Sequence, residues 1–173
     1  TSVKIGDSTI PAGKYSIYTI PGIDSWEFIL YSDANNWGLP SEWDENKVIV
    51  KIKKPSFKQA FPVESFQFSM VDLSNNSFTL GIAWDDVYVP ITIDVPTREM
   101  VEKNIQDVMS QQPKASDYYV AAVYYRQENI NTEKAVEWID KAIGMSEEVK
   151  FWQLRQQSLI YAANGNIKGA IKV

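Results

Sequence analysis

Apolar and polar residues alternate along the first half of the chain, from Val3 to about Val95. A period of two is typical of strands that have one buried face. This pattern predicts strands at 14–20, 25–31, 47–53, 63–70, 78–84 and 87–95. Pro21-Gly22 suits a type II turn after the first of them, and Asp85-Asp86 predicts a tight turn between the last two. Short strands at such spacing predict an antiparallel β-sandwich or an open barrel.

The period of the pattern changes near residue 96. Pro96 ends the alternation, and Thr97 is a residue type that caps helices. Apolar residues then recur every three or four positions, which predicts helices that begin at Thr97, Ser116, Thr132 and Ser146 and a short fifth helix over 167–173. The predicted fold class is α+β, with an antiparallel β-domain at 1–96 and a helical domain at 97–173. The alternation is already under way at Ser2 and the last helix is short, so we expect a segment of a longer protein, truncated in both domains.

The helices carry a repeat. Tyr125 and Ala135 in one pair of helices recur as Tyr161 and Ala170 in the next. The two alanines are 35 residues apart, close to the tetratricopeptide period of about 34. Small residues at these positions let paired helices approach closely. The spacing predicts a tetratricopeptide-like (TPR-like) helical hairpin region, and an ordinary pair of helical hairpins is the alternative.

The composition excludes several chemistries, because the chain contains neither cysteine nor histidine. A disulfide, a thiolate nucleophile and a zinc site built from Cys and His are therefore impossible. A Ser-His-Asp triad is impossible as well. Catalysis would need carboxylates, Lys, Tyr or a metal held by oxygen atoms, and we predict neither a cofactor nor a metal.

The net charge of −5 lies in the first half, where residues 1–96 hold seven lysines against twelve acidic residues. A nucleic-acid partner needs a positive surface, so no nucleic acid is expected. The local exception is a lysine cluster at 47–58, which we interpret as a strand whose charges block edge pairing, with an anion site as the alternative. The longest apolar run, Tyr118–Tyr125, has eight residues, against roughly 20 for a bilayer span, so no transmembrane segment is predicted.

The segment Asp33–Glu45 combines two tryptophans with amides and carboxylates. In a carbohydrate site, the apolar face of an aromatic ring stacks on a sugar while polar groups bind its hydroxyls. The candidate ligand-binding residues are Asn36, Trp37, Glu42, Trp43 and Asp44. The alternative is that both indole rings fold back and cover one end of the β core.

The same segment suggests two further chemistries. Its oxygen atoms are candidate calcium ligands, although it lacks the alternating ligands and the central glycine of an EF-hand loop. Paired carboxylates also suggest a glycosidase. Asp85 and Asp86 would diverge in a turn, so Glu42 and Asp44 form the better pair for a carboxylate-dependent hydrolase. No catalytic residue is assigned.

Aromatic residues of the helical half are candidates for binding a partner protein. The candidates are Tyr118, Tyr124, Trp138 and Trp152. Exposed Trp and Tyr side chains frequently anchor protein interfaces. The alternative is that they pack the helices against each other or against another element.

The segment 10–22, which reads IPAGKYSIYTIPG, resembles a known family, as do Trp26, Asn36-Trp37-Gly38 and the lysine-rich strand at 47–53. The family comprises exported bacterial proteins catalogued as domain of unknown function 2911. The resemblance implies a β-domain followed by helices, and a further N-terminal β segment that this chain lacks. It also implies export, and hence a periplasmic or cell-envelope location. The family has no agreed activity and supplies no catalytic residue.

Three functions remain in competition. The leading hypothesis is a non-catalytic binding or scaffolding protein that holds a protein partner, because helical repeats stack into concave surfaces. The second is a carbohydrate-binding module that uses Trp37 and Trp43. The third is the carboxylate-dependent hydrolase.

Overall fold

A computed structural model describes residues 1–173 and divides the chain into two compact units, a β-unit at Thr1–Glu99 and a helical unit at Met100–Val173. The strands are β1 Val3–Ile5, β2 Ser8–Ile10, β3 Ser16–Ile20, β4 Ser25–Tyr31, β5 Val48–Pro55, β6 Phe57–Val71 and β7 Ser77–Asp94. The helices are α1 Thr97–Met109, α2 Ala115–Gln127, α3 Thr132–Gly144, α4 Phe151–Ala163 and α5 Ile167–Lys172. Strands followed by helices confirm the predicted α+β class. None of these helices has the length and apolar character needed to cross a membrane.

The β-unit consists of two antiparallel sheets, with strand orders β2-β1-β7-β6 and β3-β4-β5. Phe28 and Leu30 of β4 are buried against one core together with Ile82, Val89 and Ile91 of β7. The core therefore draws on both sheets, which is the arrangement of a sandwich. The alternation seen in the sequence explains which side chains enter it, because successive residues of a strand point to opposite faces.

The hairpin of β3 and β4 is confirmed, but the type II turn predicted for its loop is wrong. Pairing ends at Ile20 and Glu27, so the connection is longer than a two-residue turn. A type II turn needs a positive φ at its second central residue, and Gly22 is not among the residues with positive φ. Gly22 instead allows the backbone of Ser25 to approach closely, because a Cβ at position 22 would lie 2.6 Å from the backbone oxygen of Ser25.

The tight turn predicted at Asp85-Asp86 is also wrong. β7 runs through these residues as one strand of 18 residues, and β6 pairs with both of its halves. Asp85 adopts a φ of 51°, and the register of β6 and β7 shifts at this point. An aspartate tolerates the left-handed conformation that such a bulge requires. The acidic pair therefore lies within a continuous strand, at a register shift, and does not reverse the chain.

In the helical unit, two loops repeat the same hydrogen bonds. Asn131 before α3 accepts a hydrogen bond from the backbone N–H of Lys134 at 3.1 Å, and Asn166 before α5 accepts one from Gly169 at 2.9 Å. These two capping residues are 35 positions apart. The geometry therefore repeats at the spacing that the sequence suggested. The tetratricopeptide assignment itself stays a prediction.

The helical core combines small residues with a few large ones. Ala121, Ala122 and Ala135 are buried with Trp138 and Ile160, so α2, α3 and α4 approach one another closely. The fourth helix was predicted to begin at Ser146 and begins at Phe151 instead. The Ser146 hydroxyl donates a hydrogen bond to the carbonyl of Ala142 at 2.7 Å and accepts one from the side-chain amide of Gln153 at 3.3 Å. This serine therefore links the end of α3 to the first turn of α4, and Lys150 occupies the N-cap position instead.

We expect Gly81→Ala to destabilise the β-unit by roughly 1–3 kcal/mol. Gly81 is buried in β7, and a Cβ there would lie 2.6 Å from the Tyr88 ring and 2.7 Å from the Ser69 hydroxyl. Urea unfolding followed by circular dichroism measures the change. The control is Gly144→Ala, where no atom lies within 4 Å of the added Cβ and helix propensity favours alanine by about 1 kcal/mol. An unchanged urea midpoint for Gly81→Ala would contradict this account.

We expect Glu137→Gln to remove part of the acid sensitivity of the helical unit. Lys134 and Lys141 lie 2.8 Å and 2.9 Å from the Glu137 carboxylate, and their hydrogen bonds, that of Lys134 first, lower its pKa to about 2. A carboxyl pKa that is lower in the folded state contributes stability above its unfolded pKa, and this contribution is lost as the pH falls towards the folded value. The difference in unfolding free energy between the wild type and Glu137→Gln should therefore shrink between about pH 5 and about pH 2. The control is Glu133→Gln, which removes the same charge from the same helix and leaves both ion pairs of Glu137 in place. An equal pH dependence of the unfolding free energy in the two variants would refute the assignment.

Candidate functional site

The aromatic loop, residues 32–47 between β4 and β5, carries the candidate ligand-binding residues. Its anchor is Trp43, whose ring centroid lies 4.6 Å from that of Tyr31 and 5.5 Å from that of Tyr18. The indole N–H of Trp43 donates a hydrogen bond to Glu45 at 2.9 Å. Trp43 nevertheless keeps 39% of its surface exposed. The ring therefore packs on these two tyrosines while part of it remains exposed to solvent.

Trp37 has the opposite environment, because 99% of its surface is exposed. The next residue, Gly38, has a φ of 78°, a conformation that glycine adopts without strain. The Tyr18 hydroxyl donates a hydrogen bond to the Gly38 carbonyl at 3.1 Å. The backbone beside Trp37 is thus tied to β3 while the indole ring projects into solvent.

An ion pair closes the base of the loop. The Lys47 ammonium lies 3.0 Å from the Asp33 carboxylate, and the N–H of Ser32 donates to the Lys47 carbonyl at 2.8 Å. The hydrogen bond from Lys47 is the largest cause of the lowered pKa of Asp33. The same bond raises the pKa of Lys47. Both groups are therefore held in their charged forms at neutral pH.

The polar candidate residues of the aromatic loop differ in their exposure and in their hydrogen bonds. Asp44 accepts hydrogen bonds from the backbone N–H and the side-chain amide of Asn46, at 3.0 Å and 2.9 Å, and so caps the short 3₁₀ turn Glu45–Lys47. Glu42 is exposed, and Asn36 is partly buried. The proposed pair of Glu42 and Asp44 thus contains one carboxylate that already acts as a structural acceptor.

Two tyrosines complete the aromatic surface and were missed by the sequence analysis. Tyr31 is fully buried and accepts a hydrogen bond from the backbone N–H of Asp44 at 3.2 Å. Tyr18, on β3, is partly buried. A usable signal was present, because Ile20 lies on the same side as Tyr18 and a face with two large side chains is not a fully solvated one.

In the helical unit, the predicted partner-binding residues differ in how far they are exposed. Trp138 is only 6% exposed and packs on Tyr125 with centroids 4.8 Å apart. Tyr118 and Tyr124 are partly buried. Trp152 is exposed and forms an edge-to-face pair with Phe151 at 5.2 Å.

The ring of Phe151, at the start of α4, is 76% exposed. Phe151 is the first residue of the helix. The first turn extends beyond the buried part of α4, which begins to pack only further along. Periodicity alone cannot show where along a helix its packing starts.

The fold and the loop together define a class of protein: a two-sheet β-sandwich that presents an aromatic loop, followed along the chain by short paired helices. The profile of one protein family, described as "Protein of unknown function (DUF2911)", matches residues 1–93. The chain therefore belongs to this family, and the resemblance seen in the sequence is confirmed. The match covers nearly all of the β-unit and ends within β7. No curated protein and no solved structure matches the chain.

Proposed function

We propose that this is a non-catalytic binding protein whose ligand site is the aromatic loop and whose ligand is a glycan. The observation that carries the proposal is the exposure of Trp37, at 99% of its surface. Burying a large apolar side chain stabilises a protein by on the order of 2–3 kcal/mol, and Trp37 contributes none of this. An exposed indole beside a tethered backbone is suited to a ligand that supplies the missing contact.

The chemistry of the loop favours a sugar over a purely apolar ligand. Trp37 and Trp43 offer two ring surfaces, and Glu42 and Asn35 are exposed polar groups on the same loop. Ring faces stack on the C–H surface of a pyranose, while carboxylates and amides accept and donate hydrogen bonds to its hydroxyls. Trp43 is already held by Tyr18 and Tyr31, so little conformational entropy is lost when a ligand contacts it.

The acidic side chains of the loop support binding better than hydrolysis. A glycosidase needs one carboxyl group with a raised pKa that can act as an acid. Asp33 has a lowered pKa because Lys47 donates to it, and Asp44 is engaged by Asn46. Both carboxylates hold the loop together, which is a structural task.

We expect Trp37→Ala to weaken glycan binding by about ten- to a hundredfold, the loss that follows removal of a central aromatic contact. The measurement is a tryptophan-fluorescence titration with glycans selected on an array. Trp152→Ala, which removes an exposed indole from the helical unit, is the matched control and should bind like the wild type. Equal affinities for Trp37→Ala and Trp152→Ala, or a wild-type signal that no glycan changes, would refute the proposal.

A second candidate function, partner binding by the helical unit, is favoured by a specific observation. Phe151 and Trp152 form an exposed aromatic pair at the first turn of α4. Exposed aromatic pairs supply large contact areas with few rotatable bonds, as interface anchors do.

We expect the double variant Phe151→Ser, Trp152→Ser to lose a protein partner that Trp37→Ala retains. Affinity capture from envelope extract, compared quantitatively between the two variants, makes the measurement. The separate positions of the two substitutions distinguish the helical surface from the aromatic loop. Equal recovery of every captured protein by both variants would rule out this second function.

A further inference from the structure

Strand β6 forms one edge of the four-stranded sheet, and part of its core-facing side is exposed. Phe68 pairs with Ile82 and Met70 pairs with Leu80 on β7. Ile82 belongs to the buried core of the sandwich, and Leu80 packs against it. Side chains directly opposite each other in a sheet share a face, so Phe68 and Met70 continue the core surface. They are nevertheless about half and two-thirds exposed.

Two more aromatic side chains enlarge this surface. The Phe66 ring lies 5.2 Å from Phe68 and 6.3 Å from Trp84, edge to face in both pairs. Phe66 and Trp84 are each about half exposed. With 150–250 Å² per large aromatic side chain, the four residues leave roughly 400 Å² of apolar surface in water. This area is in the range of the largest apolar patch on a typical monomer, and such patches are often functional.

The part of the β6 edge beside this surface lacks the features that usually prevent a strand edge from pairing with another chain. Proteins protect edges with charges, prolines and bulges. β6 has them in its first part, where Lys58 and Pro62 lie and where the register with β7 shifts before Gln67. The segment 65–71, which reads SFQFSMV, contains no charged residue and no proline. Over residues 67–71 its pairing with β7 is regular.

We propose that β6 is the homodimer interface of this protein, where segment 65–71 pairs antiparallel with the same segment of a second copy. The sequence of the segment is self-complementary about Phe68. With Phe68 on the two-fold axis, Phe66 lies opposite Met70 of the partner subunit, so the apolar residues on the exposed face that carries Phe68 meet one another. The two four-stranded sheets then join into one continuous sheet, and the unprotected edge disappears.

A second copy suits this surface better than an unrelated partner. A symmetric antiparallel contact satisfies both strand edges at once and needs no charge on either side, and the segment carries none. The four apolar residues supply about half of the roughly 800 Å² per partner of a standard interface. An interface below the standard size is typical of weak, transient association, and we therefore infer a reversible dimer.

A cysteine cross-link tests the register directly, because the chain has no cysteine of its own. In the variant Phe68→Cys, the two new thiols face each other across the axis with Cα atoms about 4.5–5.5 Å apart, which is within reach of a disulfide. The control is Phe57→Cys, on the same strand, half exposed but far from its own copy in this register. Under mild oxidation we expect Phe68→Cys to form covalent dimer roughly tenfold faster or more than Phe57→Cys. Equal rates would overturn the proposal.

Sedimentation of the wild type between about 5 and about 500 µM covers the concentrations at which a weak, reversible dimer forms and dissociates. We expect a concentration-dependent dimer for the wild type and for Phe57→Glu, and a monomer for Phe68→Glu. A wild type that stays monomeric throughout overturns the proposal, as does a dimer that Phe68→Glu leaves unchanged. If Phe68→Glu does not fold, as judged by circular dichroism, the wild-type series and the cross-linking rates decide the question without it.

Discussion

The packing of two sheets on one apolar core is the interaction on which the β-unit depends, and the bulge at Asp85 makes it possible. Side chains of an uninterrupted strand keep the same parity on one face. In β7, the core-facing residues are even-numbered before the bulge, at Leu80 and Ile82, and odd-numbered after it, at Val89 and Ile91. Without the bulge, one half of β7 would turn its apolar residues away from Phe28 and Leu30. The positive φ of Asp85 thus keeps a strand of 18 residues facing a single core.

The three-stranded sheet explains why Trp43 is packed against the β-unit whereas Trp37 is exposed. β4 is its central strand and is buried on both faces, since Ile29 and Tyr31 are buried as well as Phe28 and Leu30. The second face needs cover, and Trp43 supplies it by packing on Tyr31. Trp37 has no such task, because Tyr31 is already covered. Its backbone is held through the hydrogen bond from Tyr18 to the Gly38 carbonyl, while its ring stays exposed.

Local sequence patterns predicted many of the strands and helices correctly, and the incorrect predictions have physical reasons. β4 was predicted at its observed bounds because Trp26, Phe28 and Leu30 fall on one face of it, and α3 was predicted to begin where it does, at Thr132, because a clear helical stripe follows. Asp85-Asp86 was misread, because an acidic pair has the composition of a turn and only the pairing of both halves of β7 with β6 shows a bulge. Sequence patterns reflect the local conformational preference of the backbone. A bulge is instead defined by the pairing with another strand, which local patterns do not contain.

The residue types of the candidate site could be predicted from the sequence, whereas their arrangement in space could not. Two tryptophans among Asn, Asp and Glu marked the aromatic loop, and the structure brings Trp43 together with Tyr18 and Tyr31. The contact of Trp43 with Tyr18 joins residues 25 positions apart, and no local pattern encodes such a contact. The same holds for β6, whose exposed face is visible only when the extent of the opposing sheet is known.

The two surfaces proposed for the β-unit belong to different sheets and do not compete. The aromatic loop joins β4 to β5, while β6 forms the edge of the other sheet. A single sugar stacked on one indole binds weakly, whereas two loops carried by one dimer could bind a repetitive glycan with an avidity of roughly 10²–10⁴ over one loop, provided that the spacing fits. By linkage, a glycan that contacts both loops would in turn stabilise the dimer. A modest strand-edge contact is then sufficient, because the polymer itself holds the two copies together.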